Sequence, residues 1–237
     1  MQVVRIADEV IFCSLQHFSF YRLFAFYVPI LYSIVIHKFG NDVIDVNSIE
    51  RANKRKVKAI RILDELQLIQ KWSTVGNCFL VGATAYDLIV SHDIDIETFS
   101  EEINPDKIMK ELVSLINNKN VLELKYKNYI ESDFKGFYFK IIYLDNEEEW
   151  YIDMWLFSND RQGALSRDLV PLMKKALSES TRKAILEIKE ALLEDNLNYS
   201  SIFIYQAVLD YGVSNVTDFL AWSKNHNMNQ LIQWKPQ

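Results

Sequence analysis

Five consecutive residues, Asp93-Ile94-Asp95-Ile96-Glu97, alternate carboxylate and aliphatic side chains with a period of two. On a β-strand successive side chains point to opposite faces, so the three acids share one face, with Ile94, Ile96 and Thr98 on the other. Asp93 and Asp95 therefore project together, which suits a divalent cation far better than apolar packing. Glu97 lies on the same face, beyond the pair. Upstream, Cys78-Phe79-Leu80-Val81 reads as a short apolar strand ending at Gly82-Ala83-Thr84. Ala85 to Val90 is expected to continue as a short helix, and Ser91-His92 to turn the chain into the acid-bearing strand. His92 is read as a turn residue or a support for its neighbours, not as a nucleophile.

A third acid joins the pair further along. Phe137 to Leu144 alternates apolar and polar residues, and Trp150 to Phe157 is another strong strand candidate. The acidic run between them reads as a hairpin connection. Asp153 is the exceptional ionisable residue of an otherwise apolar strand. Burying it without compensation would be costly, so a metal ion or a hydrogen-bond partner is expected to meet it.

The flanking segments are helical. Val57, Ile60, Leu63, Leu66 and Ile69 recur at spacings of three, predicting one amphipathic helix that opens near Ser48, the expected cap. Lys54, Arg55, Lys56, Lys58 and Arg61 crowd its beginning and are read as a solvated helix surface, with a phosphate or RNA patch as the alternative. Lys140, in the Phe137–Leu144 strand, and Arg161 and Arg167, which follow the third acid, are read as surface charges. After Ser178 three helices are expected, the second stopped by Gly212. Tyr199, Tyr205 and Tyr211 on them are read as interhelix packing, with stacking as the alternative. Pro171 fits the first turn of a helix leading into this region.

Composition narrows the class. The 237 residues are 49% hydrophobic with only 6 Gly and 4 Pro, which excludes collagen-like and generally disordered chains. Two cysteines, Cys13 and Cys78, are too few for a disulfide scaffold and lack metal-ligand spacing, so a reducing, cytoplasmic setting is expected. Aromatic residues concentrate near the N-terminus. Phe18 to Ile36 spans nineteen residues with one charge, Arg22, and contains Pro29, but its uncharged part from Leu23 to Ile36 is fourteen residues long. A membrane helix needs roughly 20 apolar residues. The segment is therefore expected to be an accessory helix for packing or self-association, and membrane insertion is not favoured.

The ordered set of Gly82-Ala83-Thr84, a short helix, the Asp93-Ile94-Asp95-Ile96 strand and Asp153 within Tyr-Ile-Asp-Met-Trp resembles the DNA-polymerase-beta-like nucleotidyltransferase superfamily, especially its small bacterial, antibiotic-modifying members. The resemblance covers Ile49 to Phe157. It implies an α/β fold with a mixed sheet flanked by helices: a helical N-terminal extension over 1–47, a catalytic domain over 48–168 and a helical partner domain over 169–237. It further implies that Gly82, Ala83 and Thr84 form the loop near the nucleotide phosphates. Asp93 and Asp95 would supply the paired metal ligands and Asp153 the third carboxylate. Two Mg²⁺ ions are implied, with ATP or another nucleoside triphosphate as donor. Many members carry Gly-Gly-Ser or Gly-Ser at the loop, whereas this chain has Ala83 there and keeps a hydroxyl at Thr84.

The activity implied is metal-dependent transfer of a nucleoside monophosphate to an acceptor hydroxyl, releasing pyrophosphate. The formal charge of −6 disfavours a long nucleic acid and favours a small-molecule acceptor such as an aminoglycoside or lincosamide, as in antibiotic resistance. The alternatives are a catalytically weak or inactive nucleotide-binding or structural protein of the same fold, or a toxin-type enzyme with a macromolecular acceptor.

Overall fold

Asn47, in extended conformation, accepts a hydrogen bond from the Glu50 amide at 2.9 Å and starts helix α1 (Ser48–Glu65). Ser48, the expected cap, is instead the first helical residue. The computed structural model describes residues 47–163, 165–228 and 234–236, all within one compact unit, Val46–Gln237. The aromatic segment Phe18–Ile36, and the extension expected over 1–47 apart from Asn47, lie outside the described residues.

α1 is shorter than its hydrophobic spacing predicts. Gln67 takes a left-handed conformation at φ 53°, and a separate helix α2 (Leu68–Ser73) follows. The buried face is also different: Ala52, Ala59, Ile62 and Leu63 are inside, whereas Val57 is 70% exposed. Each step of three residues turns 300° on a helix of 3.6 residues per turn, so a strict spacing of three drifts around the axis. The alanines, too small to register as a stripe, mark the true face.

Five strands form one mixed sheet in the order β1-β2-β5-β4-β3. They are β1 (Asn77–Val81), β2 (Asp93–Ser100), β3 (Val121–Asn128), β4 (Gly136–Asp145) and β5 (Glu148–Ser158). β2 and β5 are parallel and the other pairs antiparallel. The β4–β5 hairpin turns at Asn146 and Glu147, both at positive φ, as a two-residue turn of matching twist requires. One sheet face carries the completely buried Ile94, Ile96, Ile152, Met154, Phe139 and Ile141. Trp72 of α2 seals it, meeting Phe139 edge-on at 5.4 Å and Met154 Sδ at 3.0 Å. Helix α4 (Pro105–Val113) adds Ile108 and Leu112 to the same core.

The other sheet face is polar near its centre and is partly roofed by the C-terminal helices. Between β1 and β2 lies a single helical turn, α3 (Gly82–Ala85), rather than the Ala85–Val90 helix expected. α5 (Ser166–Ala176) contains Pro171 in its second turn, not its first. α6 (Glu179–Glu194) opens on a Ser178–Thr181 capping box, α7 (Ser201–Tyr211) stops at Gly212 with φ 70°, and α8 (Val216–Ser223) closes the set. No helix among the described residues is long and apolar enough to cross a membrane.

The basic cluster on α1 is paired. Arg55 meets Glu190, Lys56 meets Asp87, Lys58 meets Glu148, and Arg61 meets Asp145. These contacts fasten α1 to α6 and to the sheet.

Candidate active site

The parallel pairing of β2 with β5 aligns Asp95 directly with Asp153, on strands about 4.8 Å apart. Asp93 lies two residues earlier on the same face of β2. The three acids singled out by the strand pattern therefore stand together at the centre of the open sheet face. Gly82, at the end of β1, approaches from the other side. Its φ is 66°, and a Cβ there would collide with the Asp95 carboxylate, so both conformation and space require glycine.

Gly82, Ala83, Asp93 and Asp95 line a cavity of about 260 Å³ under the C-terminal helices. Ser166 and Leu169 of α5, Lys189 of α6 and Tyr205 of α7 form its far wall. A larger cavity of about 390 Å³ lies between α1, Tyr86 and Asp87, the end of α5 and the start of α6, and the acid pair does not line it. Asp153 lies outside the smaller cavity's lining, on the β5 side. The acids thus have a cavity on one flank and an open sheet surface on the other.

Thr84 does not face the cavity. It is completely buried, and its hydroxyl donates to the Asp93 carbonyl at 3.0 Å, tying α3 to β2. Glu97, also buried, accepts the amides of Ser166 and Arg167 at 3.2 and 3.0 Å and anchors the start of α5. His92 stacks on Trp150 at 4.8 Å and sits 3.8 Å from Glu148. Arg167 lies over the Phe99 ring at 3.5 Å and Arg161 over Phe157 at 4.1 Å. Tyr199 packs edge-on against Phe219 and Tyr205 against Tyr86.

Lys189 was not singled out by the sequence, yet it is the cation of the cavity. It is 7% exposed and donates to the Leu88 carbonyl at 2.7 Å. Burial lowers its pKa to about 8, opposed by the charges of Asp93 and Asp95. The available signal was a lysine four residues after Ile185 and beside Ile188, within the apolar stripe of α6.

The acids crowd one another. Burial first, then the charges of Asp153, Asp93 and Glu97, push the Asp95 carboxyl up to about 7. Asp153 Oδ1 accepts the Tyr138 hydroxyl and lies 3.4 Å from Lys140 Nζ, while Asp93 accepts the Ser91 hydroxyl. Among the described residues, no group of three His, Cys, Asp or Glu side chains is placed so that it could hold a metal ion as it stands. The donor chemistry of Asp93, Asp95 and Asp153 nevertheless suits a hard divalent cation, since all three offer carboxylate oxygens from neighbouring positions of β2 and β5.

No family model matches the sequence, and no curated protein does. Solved structures do match in fold. The chain superposes on the structure of the poly(A) polymerase complex GLD-2–GLD-3 with a TM-score of 0.50 and 16% identity, over 80% of this chain and 67% of that one. The structure of the GLD-2/RNP-8 complex gives 0.47 and 12%, over 76% and 67%. The chain thus shares the fold of that poly(A) polymerase structure, and its mixed sheet flanked by helices is the architecture expected from the sequence. Two expectations are corrected by this likeness. The first of these structures is a poly(A) polymerase complex, not an antibiotic-modifying enzyme, so neither the preference for a small-molecule acceptor nor the disfavouring of an extended nucleic acid is retained. Net charge misled because it sums over every face and does not report how side chains group beside the acids.

Proposed function

We propose that the protein transfers a nucleoside monophosphate from ATP or another nucleoside triphosphate to a hydroxyl on a macromolecular acceptor, releasing pyrophosphate. The observation that carries this reading is the alignment of Asp95 with Asp153 beside Asp93, at the mouth of a cavity that holds a buried lysine. The cavity side suits the triphosphate. Gly82 lets the backbone come close, and Lys189 offers a desolvated positive charge to phosphate oxygens, where a fixed cation is most effective. Asp93, Asp95 and Asp153 are the residues that would hold two Mg²⁺ ions. When bound, these supply neutralising charge for the phosphates and lower the pKa of the attacking hydroxyl.

The remaining steps fall to the chain's own groups. Asp153 faces the open side of the sheet, where an acceptor oxygen can approach the α-phosphorus from opposite the cavity. Tyr138 and Lys140 fix the direction of its Oδ1. The acceptor hydroxyl gives its proton to the Asp153 carboxylate as its oxygen bonds to the α-phosphorus, and the bond from that phosphorus to the β-phosphate bridging oxygen breaks, so that pyrophosphate leaves. Ser91 orients Asp93 in the same way from the turn before β2.

The test is pyrophosphate release with Mg²⁺ and polymeric acceptor pools, comparing the protein with an Asp93→Ala/Asp95→Ala double variant. The reading expects acceptor-dependent release that the double variant loses. Undiminished release by that variant would remove the acids from the chemistry.

A further inference from the structure

On the open sheet face, the row of residues beyond the acids carries rings. Cross-strand partners on that face run Asp95–Asp153–Lys140–Lys125 in one row and Glu97–Trp155–Tyr138–Lys127 in the next. Trp155 is about 7 Å along β5 from Asp153. Phe134, from the β3–β4 connection, stacks on Trp155 with ring centres 5.3 Å apart and an interplanar angle of 27°. Phe157 stacks on it at 5.3 Å and 10°, and Tyr129 and Tyr138 lie within 5.7 and 5.0 Å. The Tyr138 hydroxyl ties this cluster to Asp153.

A cluster built only for packing would close over its outermost ring. Here Phe134 is 47% exposed, with Arg161 bonded to its carbonyl and Lys135 next to it in the chain. Arg161 donates to the Phe134 carbonyl at 2.9 Å and lies over Phe157, and Lys127 stands 5.8 Å from the centre of Tyr129. Lys125 and Lys127 are exposed on one face of the edge strand, and Lys135 flanks the loop. Glu123 pairs with Lys125 at 3.1 Å, and Glu131 and Asp133 lie on the same connection, so the surface is mixed in charge. Its cations nonetheless sit among the rings. Aromatic faces interleaved with lysine and arginine are what a flexible chain of phosphates and bases requires.

We propose that this surface, on the flank of the acids opposite the cavity, binds the end of a single-stranded nucleic acid. The last bases stack on Phe134 and Tyr129, the lysines meet the phosphates, and the terminal hydroxyl is directed at Asp153. The proposal rests on the nucleotidyl-transfer reading and names its acceptor. Double-stranded acceptors fit poorly, because their bases are already stacked on one another.

The test is fluorescence anisotropy of labelled single-stranded RNA and DNA 12-mers with the full chain, alongside binding of a fluorescent ATP analogue with Mg²⁺. Phe134→Ala should weaken oligonucleotide binding on the order of tenfold, and Phe134→Trp should restore it. A Lys125→Ala/Lys127→Ala pair should flatten the salt dependence. All three should leave nucleotide binding unchanged. Equal binding by Phe134→Ala, equal competition by a duplex, or no oligonucleotide binding overturns the proposal and leaves the surface to a protein contact. Loss of this proposal with acceptor-dependent pyrophosphate release intact leaves the functional reading standing. Oligonucleotide binding with no release in any acceptor pool overturns that reading instead.

Discussion

Gly82 and Lys189 make opposite demands on the site, and each can be tested separately. Gly82→Ala places a side chain at φ 66° and against the Asp95 carboxylate. It should destabilise the fold by about 2 kcal/mol or more, read from urea denaturation. Lys189→Met should behave differently. It removes a charge that the fold buries at a cost, as the lowered Lys189 pKa shows, and leaves an apolar chain of similar length. The Leu88 carbonyl loses its donor, so stability should shift by less than about 2 kcal/mol. kcat/KM for the nucleoside triphosphate should nevertheless fall at least about a hundredfold. A large loss of stability with little loss of turnover would make Lys189 a structural group.

At the level of elements, α1 is held by ion pairs of unequal depth. Arg61 meets Asp145, which is almost completely buried, whereas Lys54 and Glu50 are both largely exposed. Arg61→Ala should cost about 1 kcal/mol, because it strands a buried carboxylate, and Lys54→Ala less than about 0.5 kcal/mol. Chemical denaturation of the two variants checks the order. β2 and β4 were legible because a period of two over Asp93–Glu97 and over Phe137–Leu144 fits no other backbone, and β5 because Trp150–Phe157 is an apolar run interrupted by one acid. β3 and α4 were not anticipated. β3 is an edge strand whose residues from Lys125 to Asn128 are exposed, so it lacks the alternation that burial imposes. α3 was mislocated because one helical turn is too short to show a period. The three acids were legible as a set, while Lys189 was hidden as one charge in an apolar helix. Trp155, Tyr138 and Phe134 come together only through cross-strand register and a connection that folds back, which no local pattern records.

Across the whole molecule, the acid cluster couples stability to pH and to cations. With cations removed, Asp95 titrates near 7 in the folded protein against about 3.8 when unfolded. Between those values the folded state holds a proton that the unfolded chain has released, so stability falls as pH rises through that interval. Lys189, lowered to about 8, acts only above it. Melting curves in chelator should therefore show a lower Tm at pH 7.5 than at pH 5.5. Asp95→Asn should flatten the difference, and Mg²⁺ should raise Tm at pH 7.5 by mass action. The same crowding of carboxylates underlies the proposed chemistry, with a triphosphate on the cavity side and an acceptor hydroxyl on the sheet side. The most direct measurement is transfer from an α-labelled nucleoside triphosphate into a mixed acceptor pool with Mg²⁺, resolved by size and compared with Asp153→Asn. Label in the macromolecular fraction, lost in the variant, is the predicted result. Label confined to small molecules, or retained in full by Asp153→Asn, would contradict the account.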